Sequence, residues 1–197
     1  MEQTARLFLG LHLYPHFKNE IDEAVERLRS LHPDQKWVNP EFIHFTVHFL
    51  GETSPEQKQK VMEFASQAAA ATEPFKVALK DMGAFPSLKT PRVVWIGAAE
   101  SCQEDLARLY KRITEPLIRE GFPVEHEQFT PHATLFRVKR ENPIEWNPAI
   151  FQFSQTTAKT IDRLFLFKSV QTSTAAEYHP CEEFIFGSGY TSDRGGL

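Results

Sequence analysis

The spacing of apolar and polar positions divides the chain into short strands and three helices. Residues 6–14, rich in Leu and Phe, suit a buried strand. Over 18–31, Ile21, Val25, Leu28 and Leu31 recur at three-to-four spacing, which predicts an amphipathic helix. A loop punctuated by Pro33 and Pro40 follows, then a strand over 42–50. Ser54 as N-cap and Pro55 at the first helical position open a second helix. Strands are expected over 75–80 and 92–97, around a loop containing "GAFPSLKTP". A third helix over 102–120 ends at Gly121. Beyond it, the pattern predicts strands over 129–138 (broken early by Pro131), 151–158, 161–170 and 183–190, with 187–197 a frayed tail. Helices and strands neither alternate strictly nor segregate, which points to an α+β fold with antiparallel pairing.

Composition narrows the function classes. The formal charge of −4 argues against a protein that coats long nucleic acid, yet a few arginines suffice to hold one phosphate or one RNA end. Cys102 and Cys181 are the only cysteines, lack metal-motif spacing and suit reduced thiols in a cytoplasmic protein. The first residues, "MEQTARLFLGLHLY", have neither the basic start of a signal peptide nor the length of a membrane span, so no membrane partner is expected.

The candidate chemistry lies in two strands. "HFTVHFLG" starts at His44, and "HATLFR" starts at His132. Each sets a threonine two residues after a histidine, so His44 with Thr46 and His132 with Thr134 share a strand face, their Cα atoms roughly 6.6 Å apart. An imidazole that titrates near neutrality and a hydroxyl donor side by side suit phosphoryl chemistry. Either pair alone is a weak signal, since Thr is common in strands for its β-propensity. A zinc site built from His44 and His48 is disfavoured: on a strand their Cα atoms lie roughly 13 Å apart, whereas Zn–N contacts are about 2 Å. His48 shares the nominal face of His44, so it either borders the cleft and meets phosphate or ends the strand exposed. Arg137 presents a parity problem. A regular strand turns it away from His132 and Thr134, and only a bulge or a strand end near Phe136 would bring it back. Arg137, Lys139 and Arg140 form a basic cluster able to steer an RNA end.

The ordered motifs "WVNPEFIHFTVHFLG", "FPSLKTPRVVWIG" and "FTPHATLFR" resemble the 2H phosphoesterase superfamily, and within it the bacterial RNA 2′,3′-cyclic phosphodiesterases, also called 2′-5′ RNA ligases. The resemblance runs from "RLFLGLHL" to "LFLFKS". It implies a single bilobal α+β domain over 1–197, with two antiparallel sheets related by pseudo-twofold symmetry around a cleft and helices outside. It implies that His44 and His132 are the catalytic pair, that Thr46 and Thr134 bind the phosphoryl oxygens, and that Arg137 matches an arginine that commonly follows the second motif. Phe136 departs from the small residue common there and would narrow the cleft or offer a stacking surface.

The expected reaction is hydrolysis of RNA 2′,3′-cyclic phosphate ends to 2′-phosphates, with His44 as proton donor, His132 as acceptor and no metal or cofactor. Reversible 2′-5′ RNA ligation is a further activity that the resemblance implies. Small cyclic nucleotides are the alternative substrates, and a non-catalytic module binding RNA ends is the alternative from another class. No protein partner is implied, and a monomer is expected.

Overall fold

The computed structural model describes residues 4–123, 129–171 and 176–188. Two four-stranded sheets and a two-stranded ribbon carry ten strands among these residues. The first sheet runs in the order β10 (Ala176–Ile185), β9 (Arg163–Gln171), β1 (Ala5–His12) and β3 (His44–Thr53). The second runs β2 (Lys36–Trp37), β7 (His132–Arg137), β6 (Val93–Ala98) and β5 (Leu79–Phe85). The strands β4 (Phe75–Val77) and β8 (Lys159–Ile161) form the ribbon. Every pairing is antiparallel.

Three helices cover the sheets. In α1 (Tyr14–Leu31) Ile21, Val25 and Leu28 of the predicted stripe are buried, as is Phe17 one turn earlier, while Leu31 remains 53% exposed at the helix end. The Arg29 guanidinium lies over Trp37 of β2, and Arg27 donates to the carbonyls of Ile150 and Gln152. In α2 (Pro55–Ala70) Ser54 and Gln57 complete a reciprocal capping box, satisfying two backbone donors that the helix itself leaves open. α3 (Gln103–Arg119) buries Leu106, Leu109, Ile113 and Leu117 and ends before Gly121, whose φ of +85° suits glycine. It packs with α2 on the face of the first sheet that carries Leu7, Leu9 and Leu11.

One expected strand is absent. Residues 151–158 form no ladder. β5 carries a bulge at Asp81, whose N–H donates to the Phe153 carbonyl, and Thr156 exchanges bonds with Leu79 through its N–H and its hydroxyl. Isolated bonds of this kind satisfy the backbone without the regular register that a strand requires. The final strand runs Ala176–Ile185, earlier than expected, and the expected frayed tail lies outside the described residues from 189 onward.

Candidate active site

The two His-x-Thr pairs sit at the starts of β3 and β7, strands from different sheets that approach one another. His44, Thr46, His132 and Thr134 are all half-buried, while Phe45, Val47, Ala133 and Leu135 between and beside them are buried. This is the strand alternation the spacing predicts.

Both strands then break the alternation at the same point. In β3, Leu9 pairs with His48 but Gly10 pairs with Thr46, so Val47 is an extra residue. In β7, Val94 pairs with Phe136 but Trp95 pairs with Thr134, so Leu135 is extra. Each bulge follows its threonine and reverses the facing of the residues beyond it. The bulges set the facing of three residues. His48 does not border the cleft: it is 4% exposed, turned into the core, with Nδ1 3.2 Å from the Thr114 hydroxyl oxygen on α3. Phe136 neither narrows the cleft nor offers a stacking surface. It is fully buried with its ring centroid 4.4 Å from that of Trp37. Arg137, conversely, is exposed and returns to the face of His132 and Thr134, the outcome that the parity problem required of a bulge.

The two histidines are pinned alike. Nδ1 of His44 lies 2.6 Å from the Phe42 carbonyl oxygen, and Nδ1 of His132 lies 2.8 Å from the Thr130 carbonyl oxygen. A carbonyl can only accept, so Nδ1 is protonated in both rings and Nε2 is the atom that exchanges a proton. A backbone carbonyl two residues upstream does the orienting in each case.

Their surroundings differ. The His44 ring stacks on Phe8 (4.6 Å) and Phe167 (5.4 Å), with Tyr178 edge-on at 5.0 Å. Phe8 and Phe167 close over Gly10, where a Cβ would meet the Phe45 carbonyl oxygen at 2.8 Å. Burial in this apolar setting pushes the His44 pKa down to about 4, and the neighbouring His12 and His132 push the same way. His12 stands directly across from His44 on β1, its Nε2 2.7 Å from the Glu41 carbonyl oxygen, so this histidine of the opening strand also reaches the site. His132 instead meets Phe85 edge-on at 4.8 Å and Trp95 at 6.2 Å. Trp95 lies across Gly83, where a Cβ would collide with the indole.

The spacing along β3 and β7 does not single out Phe85, Trp95, Phe8, Phe167 or Tyr178 as neighbours of the two histidines. Period-two spacing within a single strand cannot report which aromatic rings other strands bring to it.

Two sheets that each present a pinned histidine and a threonine through a matching bulge define a 2H phosphoesterase. The family model described as LigT-like phosphoesterase matches this chain twice, over residues 12–95 and 96–175, one His-x-Thr pair falling in each match. The chain belongs to the LigT-like phosphoesterase family and is a hydrolase. It is 29% identical over 188 residues to an RNA 2′,3′-cyclic phosphodiesterase of Aquifex aeolicus, covering 94% of this chain and 99% of that one. It is 35% identical over 138 residues to the protein of that name from Archaeoglobus fulgidus, covering 70% and 75%. Among solved structures, TT0787 of Thermus thermophilus matches with a TM-score of 0.74 at 26% identity, covering 94% of this chain and all of that one. The E. coli LigT structure complexed with 3′-AMP shares the fold with a TM-score of 0.70 at 24% identity, covering 93% and 99%.

Proposed function

We propose that this chain hydrolyses RNA 2′,3′-cyclic phosphate ends to 2′-phosphates without a metal ion. The observation that carries the reading is the pair of histidines whose Nδ1 atoms are both committed to backbone carbonyls, which assigns both proton transfers to Nε2. Water attacks phosphorus and gives its proton to Nε2 of His132. The bond from phosphorus to the 3′ oxygen breaks, and that oxygen takes the proton from Nε2 of His44. Thr46 and Thr134 donate hydrogen bonds to the non-bridging oxygens as negative charge shifts, and the Arg137 guanidinium neutralises part of it. The same groups can also join RNA ends: a 5′-hydroxyl attacks phosphorus in place of water, gives its proton to Nε2 of His132 and displaces the 3′ oxygen, leaving a 2′-5′ linkage, and the near-symmetric site can run that step in reverse. Both His-x-Thr pairs come from one chain, which supports a monomer, and the two halves act as one domain. Cys102 and Cys181, which form no disulfide, fit a cytoplasmic setting.

One observation favours the opposite order for the histidines. At about 4, the His44 ring is neutral near pH 7, the form of an acceptor. As donor, His44 must gain a proton when the anionic substrate arrives. A cyclic-ended substrate whose 3′ bridging oxygen is replaced by sulfur separates the two orders, because a thiolate leaves without being protonated. With His44 as donor, His44→Ala keeps near-wild-type turnover of that substrate. With His44 as acceptor, His132→Ala keeps it instead. The reaction itself is tested by incubating an oligonucleotide ending in a 2′,3′-cyclic phosphate and reading the product phosphate by 31P NMR. A 2′-phosphate is expected, and no turnover or a 3′-phosphate refutes the reading.

A further inference from the structure

The geometry points to a second phosphate contact beside the site: Lys36, paired with Arg137, binds the phosphate one nucleotide upstream of the terminal cyclic phosphate and makes the site prefer an oligonucleotide end to a mononucleotide. This deepens the reaction proposed above and rests on it for the terminal phosphate.

The pairing of β2 with β7 sets Lys36 directly opposite Arg137 and Trp37 directly opposite Phe136. Opposed residues of an antiparallel pair share a face, with Cβ atoms roughly 4.5–5.5 Å apart. Trp37 and Phe136 take the inner side, where their rings pack together and Arg29 covers the indole. Lys36 and Arg137 take the other side, both exposed. The bulge at Leu135 makes this the side of His132 and Thr134. Two cations therefore stand side by side on the face that carries half of the candidate site.

Like charges directly opposite one another on a sheet are destabilising unless something neutralises them. Among the described residues, neither Lys36 nor Arg137 has a carboxylate partner. Some cations elsewhere do have carboxylate partners (Arg163 binds Asp162 and Glu183, Arg108 binds Glu104 and Asp105, and Lys60 binds Glu120), whereas Lys139 and Arg140, just beyond Arg137, have none among the described residues. Acidic residues outnumber basic ones by 26 to 22, so carboxylates are not scarce. An anion from outside the chain is the natural partner for this pair.

Position selects the anion. Arg137 follows Thr134 along the strand by roughly 10 Å at about 3.3 Å per residue, within reach of its long side chain from the terminal phosphate. Lys36 lies one strand further toward the sheet edge. A mononucleotide has only the terminal phosphate. An oligonucleotide carries a second anion on the preceding linkage, and a lysine serves it as a point charge. An edge-strand lysine can also serve simply to block edge-to-edge pairing. That role would not depend on the length of the substrate.

The test compares wild type with Lys36→Gln on a trinucleotide ending in a 2′,3′-cyclic phosphate and on the matching cyclic mononucleotide. The ratio of kcat/KM, trinucleotide over mononucleotide, is expected to fall about tenfold, mainly through KM, as for loss of one charged hydrogen bond. Lys36→Arg should restore most of it. Independently of turnover, anisotropy with the 2′-phosphate-ended trinucleotide gives affinity against salt. In Lys36→Gln the slope of log affinity against log salt should be shallower by about 0.7, the change for one phosphate fewer neutralised on a single strand. An unchanged ratio with an unchanged slope overturns the assignment. If the wild type turns over neither substrate, the proposed reaction fails and the slope alone decides: shallower upholds the Lys36 contact, identical refutes it.

Discussion

Nδ1 of His48 lies 3.2 Å from the Thr114 hydroxyl oxygen, joining the bulged part of β3 to α3 in the core. Nε2 of His48 is buried and meets no partner among the described residues. Donation from Nδ1–H to the hydroxyl leaves Nε2 as a bare lone pair, whereas a proton there would be a buried, unpaired charge. Burial accordingly pushes the His48 pKa down to about 4.

The sign of the consequence for stability follows from proton counting. Between the ordinary value of 6.5 and about 4, the unfolded chain binds a proton at His48 that the native state refuses. His48 therefore contributes stability that is fully present above pH 6.5 and lost as pH falls toward 4. The loss is at most about 3.5 kcal/mol, at roughly 1.4 kcal/mol for each pH unit between the two values. His48→Phe, which installs the residue type that Phe136 supplies at the matching position of β7, should flatten this acid limb. Tm measured from pH 7 to pH 4.5 checks it, and equal slopes in the two proteins would refute it.

His44→Ala and His132→Ala should each lower kcat by roughly 10²–10⁴, the range for a positioned acid or base. Together they should cost far less than the product, since they act as a unit. Thr46→Val and Thr134→Val should each cost roughly 10–10³ in kcat. Single-turnover kinetics with circular dichroism as the folding control measures all of these. Near-wild-type rates in both folded histidine variants would remove the two-histidine mechanism.

Arg137 and Phe136 should separate cleanly. Arg137→Ala should lower kcat/KM by about 10–100-fold with Tm nearly unchanged, because the side chain is exposed and on the site face. Phe136→Ala should instead cost about 3–5 kcal/mol of stability, as for an aromatic ring lost from a packed core. Paired measurements of Tm and kcat/KM check both. The opposite assignment of effects would mean that the bulge at Leu135 does not form in solution.

Activity should persist after prolonged treatment with EDTA and assay in metal-free buffer, because two histidines, two threonines and an arginine account for the proton transfers and the charge. Turnover that vanishes and returns only with added divalent metal would show that the mechanism is incomplete.

Much of the site was legible because it is local. His44 with Thr46, and His132 with Thr134, follow from the period of a strand, which is fixed by backbone geometry whatever the strand pairs with. The capping box at Ser54 and the stop at Gly121 are local as well. The facing of His48, Phe136 and Arg137 was not legible, since it turns on the extra residues Val47 and Leu135. A bulge exists only relative to a partner strand: Val47 is extra against β1 and Leu135 against β6. Nor could the sequence bring Lys36 beside Arg137, far along the chain, or gather Phe8, Phe167 and Tyr178 around His44. Those neighbours, and the depressed His44 pKa they produce, are set by cross-strand register and packing. The sequence by itself determined that two strands each carry a histidine and a threonine on one face. The tertiary structure decided which way they face and how readily they hold a proton, because facing and desolvation depend on strands far apart in the chain.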